Sequence, residues 1–519
     1  MVLARAEIAG LRLVPGEGPS RLAAVVMTDH QGRSSLWSLS DRSPTLREVL
    51  AADEIDGALR RGCRLDPEGR SLGFTLVRDG QVMPVRVDMA TGGVSRLFDV
   101  ERSTPTQLLL AAPEADTVLV AEQDGAHTHL SMISGGRARR LPPLTLPESL
   151  AHAARIPLAL SPDGTHLALT ADRGTGSHLL ITAVTVTGTE ALSEPDCPAG
   201  VLTSAARWVG DSLRLVGSTP TEPFAPLSLA VSTRIADGAK SPPRRAHAHW
   251  EGAHTEVLAG AAGAVEAVVY GGKDWARAPQ LVVALHGGPA ASWKLEFNPF
   301  FQRLAAAGIA VLAPNQRGST GYGPDHRAGI RGAWGGPDLD DILHIVRALT
   351  GQRRGLPPAM LYGESYGAYL ALLAAGHAPA YWSRCALISP FLSARSLHDV
   401  ATPAVRSFLE RQGAGPARRG ARTSRAAEEC LHEITAQMVI CHGLQDEVVP
   451  VNQSQELRSR LLALGWREDL DFALREVRGG HNVLSGSNGH QLQEDLVSFF
   501  VAGLEPPTGA VSKEPEEEN

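Results

Sequence analysis

Ala359-Met-Leu-Tyr-Gly363-Glu364-Ser365-Tyr366-Gly367-Ala-Tyr-Leu-Ala-Leu-Leu-Ala-Ala375 decides the fold of the second half of the chain. A short apolar run predicts a strand, and the Ala/Leu-rich run after it predicts a helix. Between them stands Gly-x-Ser-x-Gly, which in a strand–turn–helix setting forms a sharp turn that exposes the serine hydroxyl above the strand end. Glycine on both sides fits a turn too tight for a Cβ. With 53 glycines in the chain the string alone could be a Gly-rich turn. Its flanks make Ser365 the candidate nucleophile.

Outward from this stretch, strands and helices alternate. Strands are predicted at Leu281–Leu285, Ile309–Ala313, Met360–Tyr362, Ala386–Ser389, Met438–Cys441 and Phe472–Val477. Helices are predicted over 300–307, 339–350, 453–464 and 492–504. Alternation of this kind implies a mostly parallel sheet covered by helices on both faces, an α/β-hydrolase-type domain. Residues 392–430, rich in Arg, Ala and Gly, interrupt it and read as a helical insertion near the site.

A serine hydroxyl needs a base, and the base needs an orienting acid. In such sheets the order is Ser, then Asp or Glu, then His. The strand ending at Cys441 runs into His442-Gly-Leu-Gln-Asp446-Glu447, which places Asp446 in a loop at a strand's carboxyl end. Glu447 is its rival, and His442 reads as shaping that loop. After Val477 comes Arg478-Gly-Gly-His481, a histidine on a Gly-rich loop downstream of the acid. His481 is thus the candidate base. Backbone N–H donors for an oxyanion are expected from Tyr366 and from Gly288, in the His286-Gly-Gly-Pro289 turn after the first buried strand.

The first half repeats instead. Tight turns at Pro19, Pro67, Pro113, Pro162 and Val209 each precede a short apolar strand, at spacings of 48, 46, 49 and 47 residues. That period marks β-propeller blades, five of them between about residues 12 and 242, with a non-repeating β-sandwich as the alternative. A polar, Pro-broken stretch, 239–249, reads as a linker. The domains expected are a β-propeller over 1–245, an α/β-hydrolase over 246–504 and a disordered acidic tail over 505–519.

Composition narrows the function classes. A formal charge of -7 and a sequence pI near 6.2 argue against nucleic acid as a partner. No apolar run approaches the roughly 20 residues that span a bilayer, and the first 20 residues lack a continuous apolar segment, so no membrane or secretory role is expected. Five scattered cysteines fit a reducing, cytoplasmic setting. No H-E-x-x-H, paired C-x-x-C or P-loop occurs, so catalysis is expected to need no metal or other cofactor.

These motifs together resemble the prolyl oligopeptidase family of serine peptidases, nearest to its acylaminoacyl-peptidase and dipeptidyl-peptidase-like branches. The resemblance spans about residues 264–504. Its motifs come in order: His286–Pro289, Asn315-Gln-Arg-Gly-Ser-Thr-Gly-Tyr-Gly323, Trp334-Gly-Gly-Pro-Asp338, Gly363–Gly367, His442–Asp446 with Val449-Pro450, and Gly480-His481. It implies hydrolysis of short peptides or acyl-amino-acid amides through an acyl-enzyme intermediate. It also implies an active site in a cavity beneath a propeller that excludes folded proteins. An apolar pocket from Phe391, Leu392, Val449 and Tyr366 is implied too, although Phe391 and Leu392 read equally as core. The chain departs from the family in showing five blades, not seven or eight, and no Glu-Glu pair to hold a free amino terminus; Asp53-Glu54 is the nearest approach. An esterase, or an acyltransferase or macrocyclase, would need the same residues, and a non-catalytic scaffold is the third reading. A homo-oligomer is compatible with the sequence.

Overall fold

The computed structural model describes residues 10–504 apart from 16–20, 41–44, 99–103, 126, 152, 186–187, 190–192, 196, 232–249, 416–423 and 487. The proposed boundary at 245/246 and the tail 505–519 lie outside the described residues.

Five antiparallel sheets follow one another in the first half, four of four strands and a fifth of three. The sequence repeat marks one recurring place in them. Pro67, Pro113, Pro162 and Val209 stand at the turn between the first and second strands of blades 2 to 5, just ahead of Ser71–Arg78, Thr117–Asp124, His166–Arg173 and Ser212–Thr219. Pro19 is outside the described residues, and the strand after it, Arg21–Thr28, is the second of blade 1. The strands alternate their faces, so each sheet buries apolar side chains against the next. Val14, Leu36, Phe74 and Val87 join blades 1 and 2. Leu108 and Val120 pack with Cys63 and Leu97 across blades 2 and 3. Leu119 with Leu167, and Leu179 with Leu213, continue the series through blades 4 and 5. Among the described residues, no buried cluster joins blade 5 back to blade 1.

The second half is an eight-stranded sheet. Its strands are β1 (Ala253–Gly260), β2 (Gly263–Tyr270), β3 (Gln280–Leu285), β4 (Ile309–Pro314), β5 (Ala359–Glu364), β6 (Trp382–Ile388), β7 (Gln437–Gly443) and β8 (Phe472–Val477), in the order 1-2-4-3-5-6-7-8. All pairs from β4 to β8 are parallel. Helices α1 (Pro299–Ala306) and α5 (Gly489–Ala502) cover one face; α2 (Pro337–Gln352), α3 (Tyr366–His377) and α4 (Asn452–Ala463) lie over the other. Helix α3 has eleven of its twelve residues buried, which explains its apolar composition all round. The insertion after β6 forms two helices, Ala394–Val400 and Pro403–Arg411, whose Leu397 and Leu409 join the α3-side core.

Parallel register aligns the strand ends. Leu285 pairs with Gly363, Glu364 with Ile388, Ile388 with Cys441, and Gly443 with Val477. The loops after β3, β5, β6, β7 and β8 therefore leave from one edge, and they carry Gly288, Ser365, Ser389, Asp446 and His481.

Two propeller hairpins meet that domain. At the blade 4 tip, Gly174 N–H donates to Gly321 O at 2.9 Å and Thr175 O accepts from Leu295 N–H at 2.8 Å. From blade 5, Ser218 Oγ accepts from Phe297 N–H at 2.9 Å and Pro220 O from the Gln302 amide at 2.8 Å. Both tips reach the segment between the His-Gly-Gly-Pro turn and α1, at Leu295 and Phe297, and each makes a further contact outside it, at Gly321 and at Gln302 of α1.

Candidate active site

Ser365 sits at φ 52°, ψ -114°, a backbone conformation that non-glycine residues rarely adopt. Its neighbours allow it. A Cβ on Gly363 would lie 2.3 Å from Gly367 O, and one on Gly367 only 2.0 Å from Leu285 O. The turn is held from the next strand by Ser365 N–H donating to Ile388 O at 2.7 Å. Strain held in place by surrounding structure is a feature of functional positions.

Asp446 and His481 are brought together. His481 Nδ1 lies 2.6 Å from Asp446 Oδ2, while Asp446 Oδ1 accepts from Val448 and Val449 N–H at 2.9 Å each. Burial alone would raise the Asp446 carboxyl. Hydrogen bonds from His442 and His481, the charge of His481 and the Val449 N–H outweigh it and hold the group well below the ordinary carboxylate range. His442 is fully buried, with Nδ1 2.6 Å from Ser454 Oγ and Nε2 2.8 Å from Val449 O. It braces the acid loop from within. Glu447 is exposed beside it.

Ser365 and His481 line the same cavity, of about 480 Å³. Among the described residues Ser365 Oγ makes no hydrogen bond, so the Asp446–His481 contact is formed and a His481–Ser365 contact is not. Such bonds are often long without substrate and shorten when it binds.

Gly288 also lines this cavity, at φ 123°, with a cis bond to Pro289. A Cβ on Gly287 would stand 3.3 Å from Glu364 O, which measures how closely this turn approaches the serine turn. His286 anchors it from below, with Nδ1 2.7 Å from Gly287 O and Nε2 2.7 Å from Ser319 Oγ; burial lowers the imidazole to about 4, so the ring stays neutral. Tyr366 opens α3, where first-turn N–H groups have no intrahelical acceptor. Its ring points away into the core, stacked edge-on against Trp334 at 4.9 Å, with its hydroxyl donating to buried Asp338.

Phe391, Leu392 and Val449 are 2%, 1% and 1% exposed and belong to the α3-side core. Phe391 stacks on Tyr369 at 4.9 Å. None of the three lines the cavity, whose walls are instead Trp293, Pro299, Phe300, Ile388 and the 481–485 turn. Every lining residue belongs to the hydrolase domain, and none to the propeller. Asp53 and Glu54 are exposed on a one-turn helix, where Glu54 Oε2 accepts from Ala51 N–H at 2.9 Å and so caps the turn. Glu364, the variable position of Gly-x-Ser-x-Gly and no candidate on motif grounds, also lines the cavity. An acidic residue closing an otherwise apolar strand was the available signal.

The fold and the strand-edge loops define a propeller-bearing α/β-hydrolase with a strained serine at its elbow. Residues 295–506 match the prolyl oligopeptidase family of peptidases. Similar sequences include the uncharacterized peptidase YuxL of Bacillus subtilis, 27% identical over 217 residues (41% of this chain, 32% of that protein). The acylamino-acid-releasing enzyme of Sus scrofa is 32% identical over 118 residues (22% of this chain, 16% of that protein). The matched segments thus span a third or less of these relatives' length. Among solved structures, a puromycin-hydrolyzing peptidase of Mycobacterium tuberculosis shares the fold at TM-score 0.63, 18% identity, covering 96% of this chain and 80% of that one. The acylaminoacyl peptidase of Pyrococcus horikoshii does so at TM-score 0.62 and 12% identity, covering 97% and 90%. Among the described residues no helix is long and apolar enough to cross a membrane.

Proposed function

We propose that the protein is a serine peptidase acting on short peptides or acyl-amino-acid amides through an acyl-enzyme. The observation that carries this is the 2.6 Å contact of His481 Nδ1 with Asp446 Oδ2, at the sheet edge where Ser365 is held in a strained turn. In this reading His481 Nε2 takes the Ser365 proton as Oγ attacks the carbonyl carbon, then returns it to the departing amine. Asp446 holds the ring in the tautomer that leaves Nε2 free and stabilises its charged form. Gly288 and Tyr366 N–H receive the oxyanion. Water then repeats the sequence on the acyl-enzyme. The match of residues 295–506 to the family supports amide substrates, and the names of the similar proteins, acylamino-acid-releasing and puromycin-hydrolyzing, support small ones.

The test is covalent. A fluorophosphonate should label the wild type at Ser365 and leave Ser365→Ala unlabelled. Peptide anilides should turn over alongside esters. Full labelling of Ser365→Ala would end the proposal, and turnover of esters alone would leave an esterase.

A further inference from the structure

Glu364 is half-buried in the wall of the cavity at Ser365. One carboxyl oxygen, Oε1, accepts from the Tyr362 hydroxyl. The other receives no hydrogen bond from any described residue. Close by on the same wall is Ser389, 1% exposed, in a left-handed backbone conformation at φ 49°. Its hydroxyl is buried and has no partner among the described residues. Buried polar atoms are normally satisfied, and one that is not calls for an explanation such as a missing ligand. Trp293 and Phe300 supply aromatic walls. An unpaired carboxyl oxygen, an unpaired hydroxyl and aromatic faces around one space are the groups that hold an ammonium.

We infer that this cavity seats a cationic group of the substrate, a protonated or quaternary ammonium, with Glu364 as the residue that reads its charge. The placement rests on the serine-hydrolase reading. His481 delivers its proton to the departing group, and the residues directly after it, Asn482 to Ser485, form part of the cavity wall. The cation therefore belongs to the part of the substrate that leaves, while the acyl oxygen turns to Gly288. Ser389 Oγ is placed to donate to an acceptor on that leaving part. Burial raises the Glu364 carboxyl, opposed by the Tyr362 bond and by the charge of His481. An arriving cation favours the ionised form further.

The test is equilibrium binding to Ser365→Ala, which needs no turnover. Phenyltrimethylammonium and the similarly sized, neutral 4-tert-butylaniline are titrated calorimetrically at pH 7.5. Addition of Glu364→Gln, which retains an oxygen for the Tyr362 hydroxyl, should weaken the cation at least tenfold and the neutral compound less than threefold. Equal weakening of both, or no saturable binding of the cation, overturns the inference. If the Gln variant is unfolded by its melting curve, Glu364→Asp, with its carboxylate drawn back from the cavity, should show the same selective loss. Fluorophosphonate labelling of the wild type is read separately. Labelling without cation binding defeats only this inference; cation binding without labelling defeats only the nucleophile.

Discussion

Lys294 Nζ donates to the carbonyl of Gly174 at 2.6 Å, joining residues 120 positions apart and in different domains. The contact ties a propeller hairpin tip to the segment that follows Gly288. Leu295 N–H makes a second bond to the same hairpin, at Thr175 O, and Gly174 N–H reaches Gly321 O. Gly174 has φ 55°, where a side chain is strained, and a Cβ there would lie 2.2 Å from Glu266 Oε2, so Glu266 would have to move aside. Burial lowers the Lys294 ammonium although Asp172, Glu296 and Glu266 pull it upward.

Removing that bond should loosen the His286–Pro289 turn, the proposed oxyanion site, before it loosens substrate binding. A hydrogen bond from a charged group contributes about 1.5–3 kcal/mol, and 1.4 kcal/mol is about tenfold in rate. Lys294→Met is expected to lower kcat by roughly tenfold with KM changed by less than threefold. Steady-state kinetics on an acyl-peptide anilide checks this. An unchanged kcat would show that blade 4 only tethers the domains.

The relay should be strongly non-additive. Ser365→Ala or His481→Ala should each lower kcat by about 10⁴–10⁶-fold, and the double variant little further. Asp446→Asn should cost less than either but leave His481 in the wrong tautomer. Asp446 also carries a stability signature. Its folded pKa is depressed, so its contribution is present above the unfolded carboxyl value of about 3.9 and is lost as pH falls toward the folded value. Chemical denaturation from pH 3 to pH 7 should show the wild type losing its advantage over Asp446→Asn on the acid side.

The gathering of Ser365, Asp446 and His481 at one sheet edge was legible because each place is fixed by backbone. Ser365, Asp446 and His481 stand a few residues past strand ends, and parallel pairing alone brings strand ends to one edge. Five blades were legible for a similar reason, since one turn recurs at one place in every sheet. The pocket was not. Its walls come from α1, the turn before it and the 481–485 turn, and only packing across the sheet face brings Phe300 to Val483. Phe391, Leu392 and Val449 are apolar residues past strand ends, a pattern shared by pocket and core, and the structure puts them in the core. The residue before Ser365 carried a charge whose surroundings no local pattern could disclose.

Asp338 gives the stability curve a second feature, opposite in sign. It is fully buried beneath Tyr366, whose hydroxyl donates to it, with Leu339 N–H at 3.1 Å from Oδ1. Burial raises the carboxyl to about 6, against the pull of those hydrogen bonds. A folded value above the unfolded one of about 3.9 means that the folded chain holds the extra proton between them. The stability so gained is full below pH 4 and is lost as pH rises through 6, on the order of 3 kcal/mol in all. Asp338→Asn has no proton to lose. Its stability relative to wild type should therefore climb between pH 4 and pH 7, measured by urea unfolding. Parallel curves would show that Asp338 ionises freely in the folded protein.

Two glycines next to the site should behave in opposite ways. Gly367 has the Leu285 carbonyl oxygen at 2.0 Å and its carbon at 2.5 Å from where a Cβ would stand, both of them backbone atoms that cannot rotate aside. Gly367→Ala must push the Ser365 turn off β3, so the variant should fail to fold or lose fluorophosphonate labelling entirely. Gly480 precedes His481, and the sequence makes it look indispensable to that loop. A Cβ there would meet nothing nearer than Gln445 O at 3.6 Å, an ordinary contact. The close approach belongs to its partner, since a Cβ on Gly443 would lie 2.2 Å from Gly480 O. Gly480→Ala also narrows the unfolded ensemble, which typically adds about 0.4–1 kcal/mol where the backbone permits alanine. It should retain labelling and melt at or slightly above the wild-type temperature, whereas Gly443→Ala should melt well below it. Loss of labelling in Gly480→Ala would mean that His481 must swing on that glycine to reach Ser365.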